Sequence, residues 1–159
     1  WFVHAGLIMH PLSAWFALQQ SHTLERDMQT FSAYALQVAE TLERSKKVQK
    51  VYYPHLAGSP YSLLAKRQMP KGGSGLLAFE LRSFAAAKKF VNSVRHIAIA
   101  PHLGDVRSLI IHPASTTHSR LSSAERKAVG ISDTLVRCSV GLENIDRTID
   151  DLEQALQRI

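Results

Sequence analysis

The chain has 159 residues, 45% of them apolar and 20% charged, and a net charge of +6 from 19 basic and 13 acidic side chains. That length suits one domain with a real core, and the composition excludes a disordered chain. The positive charge favours an anionic partner, but Lys and Arg are scattered and no basic run is interleaved with aromatics, so nucleic-acid binding is set aside.

The opening WFVHAGLIMHPLSAWFAL is apolar but broken by His4, His10 and Pro11, with no basic flank. It fits neither a membrane span nor a signal peptide. It begins with Trp1 and reads as a piece of something longer. Pro11 suits an early helix position. Met28, Phe31, Ala35, Val38 and Leu42 then recur at spacings of three and four, which predicts an amphipathic helix running to about Lys46. This long amino-terminal helix is expected to project towards a partner domain, so residues 1–46 are assigned to a domain junction and 47–159 to a separate α/β domain.

Val48–Tyr53 is β-branched and aromatic, is bounded by Pro54, and reads as a first strand. Ser59-Pro60 opens a short helix towards Met69, and PKGGSG marks a turn. Leu76–Leu81 is a second strand, Ala85–Val94 a helix, and Ile97–Ala100 a short third strand closed by Pro101. Ile110-Ile111 ends at a His-Pro step, where a buried strand or turn runs into STTHSR. Ser122 with Glu125 three positions on forms a capping box for a small helix. Leu135–Val140 is a fourth strand. Asn144 caps a last helix whose stripe is Ile145, Ile149, Leu152 and Leu156. Alternating strands and helices predict an α/β fold with about four strands and packed helices.

Few residue patterns carry chemistry. In the fourth strand Val136, Cys138 and Val140 share one face, while Arg137 and Ser139 point the other way. A lone arginine there is usually a solvated charge. The sharper reading is a fixed guanidinium that grips a carboxylate through two parallel hydrogen bonds, which lysine cannot supply. The spacings of His96, His102, His112 and His118 match no ligand set, so no metal is expected. His112 before Pro113 shapes a turn. The Gly72–Gly75 stretch GGSG is neither a nucleophile elbow nor a phosphate loop. Cys138, the single cysteine, reads as inert packing, and with no disulfide possible the expected home is cytoplasmic.

Beyond these patterns, Leu103–Leu156 resembles the carboxy-terminal domain of the Cys/Met-metabolism family of pyridoxal-phosphate enzymes. That family includes cystathionine γ-synthase, the cystathionine lyases, methionine γ-lyase and the O-acyl-homoserine sulfhydrylases. The likeness rests on Leu103-Gly104, HPASTTH at His112–His118, and GISDTLVRCSVGLE at Gly130–Glu143. Val48–Pro54, Ala65–Met69 and Gly75–Leu81 extend it over nearly the whole chain. The resemblance implies the small carboxy-terminal domain of an aspartate-aminotransferase-like fold.

The resemblance also implies that Arg137 binds the α-carboxylate of an amino-acid substrate, with His102, Leu103 and Thr117 lining the same site. It implies pyridoxal 5'-phosphate as cofactor, held by a lysine in a large domain that lies outside this sequence. Lys66, in the AKRQM helix, is not that lysine, so no catalytic or cofactor-binding residue is expected here and the chain alone should be inactive. The complete enzyme should be a homo-oligomer. Thr116–His118 together with Leu103–Asp105 look more like the sulfhydrylases than the lyases. Three positions depart from the pattern: His102 stands where Ser or Asn is usual, and Gln19 and Asp27 occupy two arginine places. They keep alive the alternative of a non-catalytic stand-alone domain.

Overall fold

A computed structural model describes His4, Gly6 and residues 8–159. The elements in chain order are α1 (Pro11–Ser21), α2 (Leu24–Arg44), β1 (Val48–Tyr52), α3 (Ser62–Gln68), β2 (Leu76–Leu81), α4 (Phe84–Val91), β3 (Ala98–Ile99) and β4 (Leu109–Ile111). A single 3-10 turn (Pro113–Ser115), α5 (Ser123–Ala128), β5 (Leu135–Ser139) and α6 (Ile145–Gln157) complete the chain. The strands form one sheet in the order β1-β2-β5-β4-β3, antiparallel except for the β3–β4 pair.

Period-two alternation decides which sheet face is covered. Leu77, Phe79, Leu81, Val136, Cys138 and Ile110 point to one side and are buried. Helices α2, α4 and α6 cover that side, contributing Ala35, Val38, Ala39 and Leu42, then Ala87 and Phe90, then Leu152, Ala155 and Leu156. Phe79 and Phe90 meet edge to face at 5.5 Å between ring centres. The result is two layers, helices on a sheet, with the other sheet face bare of long helices.

The sheet has one strand more than expected. Leu109–Ile111 is only three residues long and entirely buried, so it shows no alternation for a pattern reading to detect. The single long amino-terminal helix is also corrected. The chain breaks at His22-Thr23 without proline or glycine. There the Thr23 hydroxyl donates to the Gln20 carbonyl at the end of α1 and to Asp27 Oδ2 in the first turn of α2 (3.2 and 2.6 Å). The second helix ends at Arg44. Helix α1 buries none of its residues, whereas the second half of α2 is core. Helix α3 begins at Ser62, after Pro60 and Tyr61, rather than at Ser59.

The expected caps are present. Ser122 and Glu125 make both bonds of the capping box, and Asn144 accepts from Arg147 N. The Gly72–Gly75 turn packs on α2. Gly72 sits at φ +135 with a virtual Cβ 2.5 Å from Ser32, and the Tyr53 hydroxyl donates to Ser32 O and Ser74 O, both at 3.0 Å. Among the described residues no helix is long and apolar enough to cross a membrane, and no group of three metal-ligating side chains occurs.

Candidate carboxylate-binding site

Arg137 lies in the middle of β5, between Ala78 of β2 and Ile111 of β4. Directly opposed residues share a sheet face, so Arg137 projects from the face without helices, away from Val136 and Cys138. Its Nη2 donates to two successive carbonyls, those of Pro101 and His102, the latter at 3.1 Å. Among the described residues neither Nε nor Nη1 has a protein acceptor. Two of the three guanidinium nitrogens are therefore free to meet an anion. Nη2 belongs to both two-nitrogen edges of a guanidinium, so a carboxylate gripped by two parallel bonds must share or displace it.

The carbonyls that hold Arg137 belong to the segment 101–108, which joins β3 to β4 and lies along the end of β5. Gly104, at φ +74, lets this strap turn, and its N–H donates to Ser139 Oγ at 3.1 Å. Leu142 N–H donates to Val106 O at 2.8 Å. Glu143 accepts from Ser108 N–H at 2.6 Å and from Ser108 Oγ at 2.8 Å, and Ser108 Oγ in turn accepts from Gly141 N–H at 3.0 Å. A Cβ on Gly141 would stand 2.4 Å from Val106 O, so only glycine permits this approach. Asp105 accepts from the Arg107 side chain and amide, which hold its carboxyl below the usual carboxylate range.

Arg137 and the His102 backbone thus come together, and Leu103 follows on the strap with its side chain 59% exposed. Thr117 is exposed, and its hydroxyl contacts His118 Nδ1 at 2.8 Å rather than Arg137 or the strap. Most of the hydroxyls in the 112–119 loop serve the loop itself. Thr116 Oγ1 donates to His112 O and Ser119 Oγ to Thr116 O, both at 2.9 Å. His112 is buried. Its Nε2 pairs with Asp133 O at 3.0 Å, so Nε2 carries the proton and Nδ1 accepts from Ser115 Oγ at 2.9 Å. Burial pushes this imidazole below its ordinary pKa of 6.5, in favour of the neutral ring. Asp133 is held by Arg126 and Ser123, which ties α5 to the same junction.

Sequence reasoning missed the strap anchors Ser139 and Glu143. Both lie within the quoted SVGLE run, but their partners lie 35 positions away, and no local spacing shows such pairs. Cys138 is fully buried and its thiol is pushed up to about 12, so it carries no nucleophilic role.

A Schiff-base lysine needs a desolvated pocket that lowers its pKa. Seven of the eight lysines are exposed. Lys47, half-buried, spends its ammonium on the carbonyls of Leu156 and Ile159 at 2.8 and 2.7 Å, closing the end of α6. Among the described residues, the Arg137 guanidinium is the group of this site suited to an anion. A cleft of about 730 Å³ between β1 and α3, lined by Tyr52, Tyr61, Leu64 and Met69, contains none of the four site residues.

The family model for the Cys/Met metabolism PLP-dependent enzymes matches residues 2–157. The chain is 41% identical over 155 residues to an L-methionine gamma-lyase of Fusobacterium nucleatum, covering 97% of this chain and 39% of that protein. It is 39% identical over 153 residues to an O-succinylhomoserine sulfhydrylase of Pseudomonas aeruginosa, covering 96% and 38%. A crystal structure described as an O-acetylhomoserine (thiol)-lyase from Campylobacter jejuni, with a pyridoxyl-lysine, superposes with a TM-score of 0.85 at 40% identity. The match covers 92% of this chain and 35% of that one. The chain thus spans well under half the length of these relatives.

Proposed function

Because the chain belongs to the Cys/Met metabolism PLP-dependent enzymes, we propose that it is the carboxy-terminal, substrate-carboxylate-binding domain of such an enzyme. The observation that carries this reading is Arg137, fixed on the sheet face without helices, with Nε and Nη1 free of protein acceptors among the described residues. A guanidinium held there binds the α-carboxylate of an amino acid by charge-assisted hydrogen bonds and so orients the rest of the molecule. His102 and Leu103 lie on the strap that holds Arg137, and we propose that Thr117, on the loop that follows β4, lines the same site in the complete enzyme.

The family's cofactor, when bound, supplies an electron sink for carbanion chemistry. We place it in a large domain outside residues 1–159, in an enzyme that assembles as a homo-oligomer. Borohydride treatment of this chain with added pyridoxal phosphate should label no single lysine; specific labelling of one would show that this chain holds the cofactor.

For the reaction itself we favour γ-replacement on an O-acyl-homoserine, in methionine biosynthesis by transsulfuration or direct sulfhydrylation. Thr116–His118 and Leu103–Asp105 support this. Lyases and sulfhydrylases are equally similar relatives, at 39–41% identity, so product analysis with O-acetyl- or O-succinyl-homoserine and sulfide, against elimination from methionine, decides it. The carboxylate role itself is tested by Arg137→Lys in the cofactor-loaded enzyme. Loss of a charge-assisted contact costs about 1.5–3 kcal/mol, roughly a tenfold to hundredfold fall in kcat/KM. Near-wild-type kcat/KM would defeat the proposal.

A further inference from the structure

We infer that Ser139 and Glu143 are positioning residues for Arg137, acting through the 101–108 strap; this rests on Arg137 being the carboxylate ligand. A half-buried arginine on a sheet face without a covering helix would ordinarily sample several rotamers, and freezing one costs side-chain entropy. Here the cost is met before any ligand arrives, because Nη2 is held on the carbonyls of Pro101 and His102. Those carbonyls are useful holders only if they are themselves fixed. A loop of eight residues with a positive-φ glycine has no regular structure to fix it.

The fixing comes from β5 and the turn that follows it. The two anchors act at opposite ends of the strap. Ser139 is 3% exposed, and its hydroxyl takes the Gly104 amide two residues beyond His102. Glu143 takes both the amide and the hydroxyl of Ser108, which is 1% exposed, at the strap's junction with β4. The Ser108 hydroxyl passes the link on to Gly141 N–H, so the carboxylate, hydroxyl and amide form one connected chain. Arg137 lies on β5 two residues before Ser139. The strand that carries the guanidinium is therefore also the strand that anchors its carbonyl holders, and the two cannot drift apart.

The strap-held orientation is inferred to persist when a carboxylate takes Nε or Nη1 and shares Nη2 with the strap carbonyls. Ser139 and Glu143 touch neither the ligand nor the reacting atoms. Their removal should leave the chemistry intact and weaken capture.

The test uses Ser139→Ala, Glu143→Ala and the conservative Glu143→Gln, with two readouts. In this chain, amide hydrogen exchange and the Arg137 Nε–H resonance are followed by NMR. Ser139→Ala should speed exchange at Gly104 by about tenfold, the worth of one hydrogen bond. Glu143→Ala should do the same at Ser108 and Gly141, and Glu143→Gln should restore part of the Ser108 protection. All the alanine variants should broaden or shift the Arg137 resonance. In the cofactor-loaded enzyme, KM should rise about threefold to tenfold with kcat nearly unchanged.

Loosened amides with an unmoved Arg137 resonance and an unchanged KM would overturn the inference. A lower KM would also overturn it, since the carbonyls would then be competitors for the guanidinium. Should Glu143→Ala fail to fold, Ser139→Ala decides alone, because it deletes one hydroxyl from a site the backbone already closes. If Arg137→Lys leaves KM untouched, the carboxylate reading fails, while the Arg137 resonance in the Ser139 variant still reports whether the strap positions the side chain.

Discussion

At position 112 a histidine ring, 1% exposed, joins the loop after β4 to the turn before β5. It gives its Nε2 proton to Asp133 O, takes one from Ser115, and packs edge-on to Phe84 at 4.9 Å between ring centres. His112→Ala removes a large buried ring and leaves a carbonyl and a hydroxyl unpaired, so about 2–4 kcal/mol of stability should be lost in urea unfolding. The pH dependence follows from the lowered pKa. As pH falls below 6.5 the unfolded chain binds a proton that the folded chain refuses, so stability rises with pH and is complete above about 6.5. Unfolding at pH 7.5 and pH 5.5 should show the loss in the natural chain, and a variant without the imidazole should lose that part of the slope. An unchanged slope would contradict the neutral ring. Cys138 invites a simpler check. The thiol should react with Ellman's reagent only after unfolding, and fast labelling of the native chain would contradict its burial.

Among the elements, α6 shows how a helix can organise a distant segment. Asp151, 2% exposed, accepts from the amides of Arg95, His96 and Ile97 at 2.8–3.0 Å and from Gln154. Burial works to raise its pKa, but these donors outweigh it and hold the carboxyl below the usual 3.8. Asp151→Ala leaves three amides without acceptors, that of Ile97 buried, so about 1–3 kcal/mol should be lost. The anchor's contribution is complete above the ordinary carboxylate range and is lost as pH falls through it, because the unfolded carboxylate protonates first. Thermal unfolding of the variant checks both statements. Most elements are legible in the sequence where local rules act alone. The Leu76–Leu81 strand, the Ser122–Glu125 box and the Asn144 cap need no partner to be read. Strand β4, the break at Thr23, the Asp151 anchor and the strap ties are not legible in this way. Each depends on a neighbour brought up by the fold, or on burial that erases alternation. The same holds at the site. Arg137 on its strand is visible in the period-two pattern, while the carbonyls that hold it are not.

On the scale of the whole molecule, the helices cover one sheet face, and the other carries Arg137. Helix α1 leaves its large apolar side chains uncovered: Leu12, Trp15, Phe16 and Leu18 are 56–64% exposed. Such a cluster on a helix without buried residues suits a covering partner, which we propose is the large domain. In this chain by itself, α1 amides should exchange with solvent within seconds to minutes while those of β2, β5 and the second half of α2 stay protected; uniform protection would mean that α1 is covered by something else, such as a second copy. The central claim is that Arg137 receives a substrate carboxylate, and comparing an amino acid with its carboxamide addresses it most directly. In the cofactor-loaded enzyme, binding of L-methionine and L-methioninamide is read from the cofactor's absorbance, in the natural protein and in Arg137→Ala. The natural protein should favour the acid by about tenfold or more, the scale of one charge-assisted contact, and Arg137→Ala should lose that preference while binding the amide as before. Equal loss of affinity for the acid and the amide, or a preference that survives in Arg137→Ala, would contradict the account.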